Sequence, residues 1–466
     1  MKKLRIKYNL YIVLVLAICL APFVCMTFAK TTETAEKKTL AAFPDFLDAD
    51  GKITLDYLPK MGAYFEDHFA FKEALVSVNA YIHDALFNVS SEDSVILGKD
   101  GWLYYSATED DFCHNNGVSE RKLYSMARNV KLMQDYCESN GAKFVFTIAP
   151  NKNSLYPDGM PDRYKYKVAE LSDAQRLKPY LEKEGVNYLD LFELFSKQDE
   201  ILYLKQDSHW NNKGARLVYN MILTEVDYEH DPYDCEPIER RDVGDLAGMV
   251  YSVGAESEDN PGYADETAYE MIAGETVEDM VVDTYNSDGA GKLLMYRDSF
   301  GNSLIPYFAG GFEQARFSKV VPYPLSDVSD TEADVVVVEK VERHLPTLAE
   351  VPPTMAAKDC SNLYEEDGEN FDGVALSEED YDISLTDDGT YCAIEGDVFG
   401  EKLDVCARIF VKISEEDDFG NIYNEKMYEA FLTDSPKGSK MNDQGFAVYA
   451  LSEDVPDEAI VEVYIK

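Results

Sequence analysis

Lys292-Leu293-Leu294-Met295-Tyr296-Arg297-Asp298-Ser299-Phe300-Gly301-Asn302 is the stretch from which the fold is read. Its first half is a short apolar run that goes straight into Asp-Ser, then a Gly, then a helical pattern. A run of that kind reads as a buried strand, with Asp298-Ser299 at its carboxyl end. In open α/β sheets the reactive crevice lies beyond the carboxyl ends of the strands. A serine placed there sits beside the free N–H groups of the following turn, donors suited to a tetrahedral oxyanion. An Asp-Ser helix cap accounts for the same residues without any chemistry.

The pattern recurs outward from this stretch. Lys143 to Ala149, Val186 to Leu191 and Val335 to Val338 are further short apolar runs, which with Lys292 to Tyr296 make four. Leu123, Met126, Val130, Met133 and Cys137 repeat at helical spacing, and Gly141 marks the exit. Ala174 to Lys183 reads as another helix. Strands alternating with helices predict an α/β fold with a mostly parallel sheet covered on both faces. Upstream, Met61 to Ala85 is a helical stretch. Val95-Ile96-Leu97 and Trp102-Leu103-Tyr104-Tyr105 flank an Asp-Gly turn and read as a hairpin. The acidic, loop-rich segment from about Asp242 to Gly291 reads as a lid or insertion. Beyond His344 an acidic linker is expected over 346–373, then alternating short runs that predict a small β-sandwich over 374–466. The remaining boundaries are 1–29 for an apolar segment, 30–90 for a juxtamembrane linker and helical segment, and 91–345 for the α/β domain.

Charge narrows the function. The chain has 43 basic and 88 acidic residues, a net of −45. Such a surface repels phosphate backbones, which argues against nucleic-acid binding. The start of the chain differs: Lys2, Lys3, Arg5 and Lys7 precede an uncharged run from Tyr8 to Ala29. That run is long enough to span a bilayer, and basic residues ahead of it predict export of the remainder of the chain. An uncleaved anchor in the cell membrane is favoured by the length, with a cleaved signal peptide, and so a secreted protein, as the alternative. Of the cysteines outside this run, Cys392 and Cys406 lie in neighbouring predicted strands, close enough in pattern for a disulfide or equally for two buried thiols. No C-x-x-C occurs.

Only six histidines are present. His209 lies in Lys205-Gln206-Asp207-Ser208-His209-Trp210-Asn211, just before a helix beginning near Asn212. An aspartate two residues ahead of a histidine lets one loop aim both side chains to one side, so that the carboxylate fixes the imidazole tautomer. Asp-x-His also suits a metal, although no further ligand cluster stands nearby in the sequence. Beside a strand-end serine, the pair instead suggests nucleophilic catalysis by Ser299 with His209 as base and Asp207 as its orienting acid.

A set of motifs then resembles the SGNH-hydrolase-like proteins of the DHHW and alginate O-acetyltransferase (AlgJ/AlgX) type. They are Gly98-Lys99-Asp100-Gly101-Trp102-Leu103-Tyr104, Ala149-Pro150-Asn151-Lys152 with Tyr156-Pro157, Asp207-Ser208-His209-Trp210, Gly244-Asp245-Leu246, Arg297-Asp298-Ser299-Phe300 and Val341-Glu342-Arg343. They stand in the family's order across roughly residues 40–345, with Asp-x-His ahead of the serine block. Ser208 replaces a histidine often found after the Asp. The resemblance implies an SGNH-hydrolase-like, flavodoxin-like sheet and a Ser299, His209 and Asp207 triad. It also implies O-acetylation of an exported polysaccharide, with a multispanning membrane O-acyltransferase supplying acetyl groups. Oxyanion donors are sought in the Ser299 and Phe300 N–H groups and the Asn151 and Asn302 side chains. Lys152 and Arg297 are candidates for substrate binding. No cofactor or metal is expected. The rival readings are an acetylesterase with the same triad and a non-catalytic glycan-binding or assembly protein.

Overall fold

Strand Lys292–Tyr296 lies at the centre of a seven-stranded sheet in the computed structural model of the protein. The structure describes residues 2–26, 28, 40–47, 51–115, 117–230, 236–265, 267–361, 371–400, 403–435, 443–456 and 458–466. Residues 30–39 of the expected juxtamembrane linker and helical segment fall outside them, as do Cys235 and the acidic core of the 346–373 linker.

In chain order the strands of the main sheet are β1 (Lys143–Ala149), β2 (Tyr188–Leu189), β3 (Glu270–Ala273), β4 (Val281–Tyr285), β5 (Lys292–Tyr296), β6 (Gln314–Ser318) and β7 (Val335–Val341). They run in the order β2-β1-β7-β5-β6-β4-β3. The first five in this order are mutually parallel, and β4 and β3 join antiparallel at one edge. The four apolar runs read from the sequence are therefore consecutive neighbours in one parallel sheet. Alternate side chains divide between two cores, as the two-residue period of a strand demands. Val145, Leu293, Met295, Val335 and Val337 face helices Asn212–Glu225 and Ile305–Gly311. Phe144, Phe146, Leu294, Tyr296, Val336 and Val338 face helices Glu120–Ser139 and Asp173–Glu184.

Three local expectations change. The segment read as a lid or insertion supplies β3 and β4, so part of it is sheet edge. β3 alternates exposed and intermediate residues and β4 intermediate and buried ones, a pattern that composition alone obscures. The run Val186 to Leu191 shortens to β2 because Asp190 caps the next helix, accepting the Glu193 N–H at 3.0 Å. In the segment read as a linker, Leu348, Ala349 and Met355 are buried in the second of the two sheet cores.

Compactness divides the chain into two units. One comprises 1–106, 205–208 and 241–258, and the other 107–204, 209–240 and 259–466. The first holds the N-terminal helix Lys2–Cys25, whose stretch Lys7–Cys25 is long and apolar enough to cross a membrane. It also holds helices Tyr57–His68 and Lys72–Phe87 and the predicted hairpin, in which Asp100 and Gly101 take positive φ in the turn.

The second unit contains the main sheet and, beyond it, two four-stranded antiparallel sheets. These enclose a core that includes Ile394, Val411, Val448 and Val463. Cys392 and Cys406 are free thiols, so the disulfide alternative does not hold. Helix Glu120–Ser139 is shared: Leu123 and Met126 enter the sheet core while Tyr124 enters the core of the β-domain. Asn129 exchanges hydrogen bonds of 2.9 Å with the Leu432 backbone in both directions. Arg128 binds Glu429 through two nitrogens, at 2.7 and 2.8 Å. Burial by itself would raise the Glu429 carboxyl, but Arg408 and Arg128 overcome it and hold the group below its ordinary range.

Removing Arg128 strips the buried Glu429 carboxylate of two charge-assisted hydrogen bonds and leaves it to Arg408. Arg128→Ala is expected to cost about 1.5–3 kcal/mol in urea unfolding at pH 7. Because the Glu429 carboxyl is held low, the contribution is complete above its ordinary value of 4.5 and fades as pH falls through the folded value. A cost that does not shrink on acidification would contradict this account.

Candidate active site

Ser299 is the last residue before the 3-10 turn Phe300–Leu304, which leads into helix Ile305–Gly311. It stands at the carboxyl end of β5, as the sequence predicts. The preceding Asp298 fixes this turn. One carboxylate oxygen accepts the Phe300 N–H at 2.9 Å, and the other accepts the Val341 N–H at 2.6 Å. Its own N–H donates to Glu339 on β7, at 3.0 Å. The turn is thus tied to the neighbouring strand by two of these bonds and closed on itself by the third. Glu339 is fully buried, and burial with Asp298 beside it holds its carboxyl well above the ordinary range.

His209 approaches from another loop. Its Nε2 lies 2.9 Å from Ser299 Oγ, within reach for proton transfer. Its ring packs against Phe300, with centroids 4.8 Å apart. Trp210 next to it is buried, and its Nε1–H donates to Ser303 Oγ at 2.5 Å, joining the histidine loop to the Ser299 turn. Asn211 then caps helix Asn212–Glu225 by accepting the Gly214 N–H at 3.0 Å. Gly214 must be glycine for space, since a Cβ there would lie 2.7 Å from the Leu202 carbonyl oxygen and 3.0 Å from Trp210 Cβ.

Asp207 stands two positions ahead of His209 in the chain. Within its own unit its carboxylate accepts the Asp245 N–H at 2.9 Å, and Asp245 in turn accepts the Ser208 N–H at 2.7 Å. Gly244 permits this clamp, because a Cβ there would come within 2.1 Å of the Gln206 carbonyl oxygen. The Gly244-Asp245 motif is therefore a brace on the Asp207 loop. Its role is invisible in one dimension, as the two segments are 38 residues apart.

The other predicted residues are largely engaged within the protein. Asn151 is buried, its N–H donating to Glu342 at 2.9 Å and its Nδ2 to Asp111 at 2.9 Å. Lys152 is buried with Nζ on the Leu204 carbonyl at 3.2 Å. Arg297 is buried too; it donates to the Val277 and Asp279 carbonyls at 3.0 and 3.1 Å and to Asn302 Oδ1. Asn302 Nδ2 is on Glu278 at 2.7 Å. These bonds make Arg297 and Asn302 supports of the turn. The Phe300 N–H is spent on Asp298, which leaves the Ser299 N–H, unbonded among the described residues, as the backbone donor beside Ser299 Oγ.

The sequence reading quotes Glu342 only within Val341-Glu342-Arg343 and gives it no role. Burial pushes its carboxyl up to about 7, the Ser154 hydroxyl opposes that rise, and Asp111 adds to it. Its carboxylate takes the Asn151 N–H and the Ser154 hydroxyl, so it orders the start of helix Lys152–Leu155.

A largely parallel sheet with a strand-end serine carrying a histidine on its Oγ is the arrangement of SGNH-hydrolase-like domains. Residues 95–279 match the family model of the SGNH hydrolase-like domain, acetyltransferase AlgX, which bears out the resemblance read from the motifs over that region. The probable alginate O-acetylase AlgJ of Pseudomonas syringae pv. tomato is 28% identical over 177 residues, covering 37% of this chain and 43% of that protein. The AlgJ of Pseudomonas aeruginosa is 26% identical over 172 residues, covering 36% and 42%. The matched region thus spans less than half the length of these curated relatives. Bacillus cereus PatB1 overlays with a TM-score of 0.43 at 15% identity, covering 54% of this chain and 96% of that one.

Two measurements probe this site. Asp298→Ala releases the Phe300 and Val341 N–H groups, and is expected to lower kcat/KM for an activated acetyl ester about 10–100-fold through misplacement of Ser299; an unchanged value would remove Asp298 from the account. For Glu342, the folded chain retains a proton between pH 4.5 and about 7 that the unfolded chain releases. Stability therefore falls as pH rises through that window, by up to about 3 kcal/mol. Glu342→Gln should flatten that part of the pH–stability curve in chemical denaturation.

Proposed function

We propose that the protein is an extracytoplasmic O-acetyltransferase acting on an exported or cell-surface polysaccharide through an acetyl-serine. The observation that carries this reading is the 2.9 Å approach of His209 Nε2 to Ser299 Oγ at a strand end. The acetyltransferase family match over 95–279 adds support.

His209 removes the Ser299 hydroxyl proton as Oγ bonds to the acetyl carbonyl carbon. The Ser299 N–H faces the developing oxyanion. Collapse breaks the bond from the acetyl carbon to the donor's leaving group, which takes the proton from His209. A sugar hydroxyl then gives its proton to His209 while its oxygen bonds to the acetyl carbon. The Ser299 ester bond breaks and Oγ is reprotonated. Asp207, two residues from His209, is assigned the carboxylate that orients the imidazole. Lys7–Cys25 is assigned as a membrane anchor, and an acetyl donor from a multispanning membrane O-acyltransferase fits a catalytic domain without access to cytosolic acetyl-CoA. Hydrolysis by the same residues is the second reading, since water replaces the sugar hydroxyl without any change in the Ser299–His209 pair.

The test offers an acetyl-donor ester to the full chain with and without candidate oligosaccharides, following products by mass. Acetylated sugar is expected, with rates lowered at least about 1,000-fold in Ser299→Ala and His209→Ala. Free acetate alone would favour the esterase, and activity retained by Ser299→Ala would refute the nucleophile.

A further inference from the structure

Helix Lys72–Phe87 is built the wrong way round for a soluble protein. Only Ser77 and Ala80 on it are buried. Ser77 Oγ accepts the Val253 N–H at 2.8 Å, Ala80 packs with Leu246, Ala247 and Val250, and Asp84 accepts the Tyr251 hydroxyl at 3.0 Å. The face turned to its own unit is therefore small and polar. The opposite face carries Ala74, Leu75, Val78, Ile82, Ala85 and Leu86, mostly exposed. At 100° per residue these six fall within about 120°, an arc without a charged side chain. Leu86 is 71% and Ile82 48% exposed. A core-facing helix of a soluble domain buries such an arc.

The same unit says what covers it. Its apolar span Lys7–Cys25 is long and apolar enough to cross a bilayer. Phe23 near the end of that span rests on Phe65 and Phe69 of the helical segment before Lys72, with ring centroids 6.2 and 5.6 Å away. The apolar surface of the span thus continues onto the helical segment rather than ending at the chain's exit. The arc is also wider than the narrow seam of a two-helix contact and has no flanking charge pairs to select a partner helix.

We propose that the outward face of helix Lys72–Phe87 lies in the interfacial layer of the bilayer, flat against the lipid, while its inner face holds the folded unit. Lipid without net negative charge suffices, because the arc offers no basic side chain for an anionic headgroup. The inference rests on reading Lys7–Cys25 as a retained membrane span.

The test uses the full chain in phosphatidylcholine vesicles with Ile82→Trp or Leu86→Trp, each at an exposed position. Native Trp102 and Trp210 are buried and supply a constant background. Vesicles made with lipids brominated high on the acyl chain should quench about half or more of the added emission, as expected for side chains about 5–10 Å deep. The emission should also shift to shorter wavelength. If the chain floats with the vesicles but both added tryptophans stay unquenched, the span reading survives and the lipid-facing helix is refuted. If the chain does not float, both are refuted.

Discussion

One carboxylate holds Ser299 in place. Asp298 accepts N–H groups from the turn it belongs to and from the adjacent strand β7, so the position of Ser299 is set by sheet geometry rather than by loop packing. Glu339 completes the link from the strand side. A turn fastened to a parallel ladder inherits the rigidity of the ladder, and a hydroxyl that must meet an imidazole at 2.9 Å needs that rigidity. Arg297 and Asn302 brace the same turn from its other side. This explains why residues that read as substrate contacts in the sequence are consumed in architecture.

The elements most legible in the sequence are those whose pattern is local. Four apolar runs gave four adjacent parallel strands, because a strand buried on both faces writes its environment directly into consecutive residues. Strand β6, Gln314-Ala315-Arg316-Phe317-Ser318, carries the weaker alternation of a strand near the sheet edge and went unread. So did β3 and β4, because acidic residues dominate the composition of their segment. The site divides in the same way. Ser299 and His209 were readable because each lies beside a sharp local signal, a strand end and a helix start. Glu342, Asp111 and the Gly244-Asp245 brace act through contacts across tens to hundreds of residues, which neither spacing nor residue type announces.

The acidic character of the chain takes on a different meaning within this fold. A net charge of −45 spread over the surface favours solubility but offers no attraction to an anionic acceptor. Among the cations near the Ser299 turn, Arg297 is committed to carbonyls and Asn302, while Arg343 lies over the Phe300 ring at 5.9 Å.

Helix Glu120–Ser139 ties the timing of folding to the end of the chain. Its one side belongs to the sheet core and its other side to the β-domain, and Asn129 finds its partner Leu432 only 303 residues later. At roughly 5–20 residues per second of synthesis, that side waits about 15–60 s for its cover. Once β7 is complete at Val341, the half that carries Ser299 waits about 5–18 s, the roughly 90 residues to Leu432, with an unfinished surface. The β-domain therefore acts as the closing piece of the half that carries Ser299.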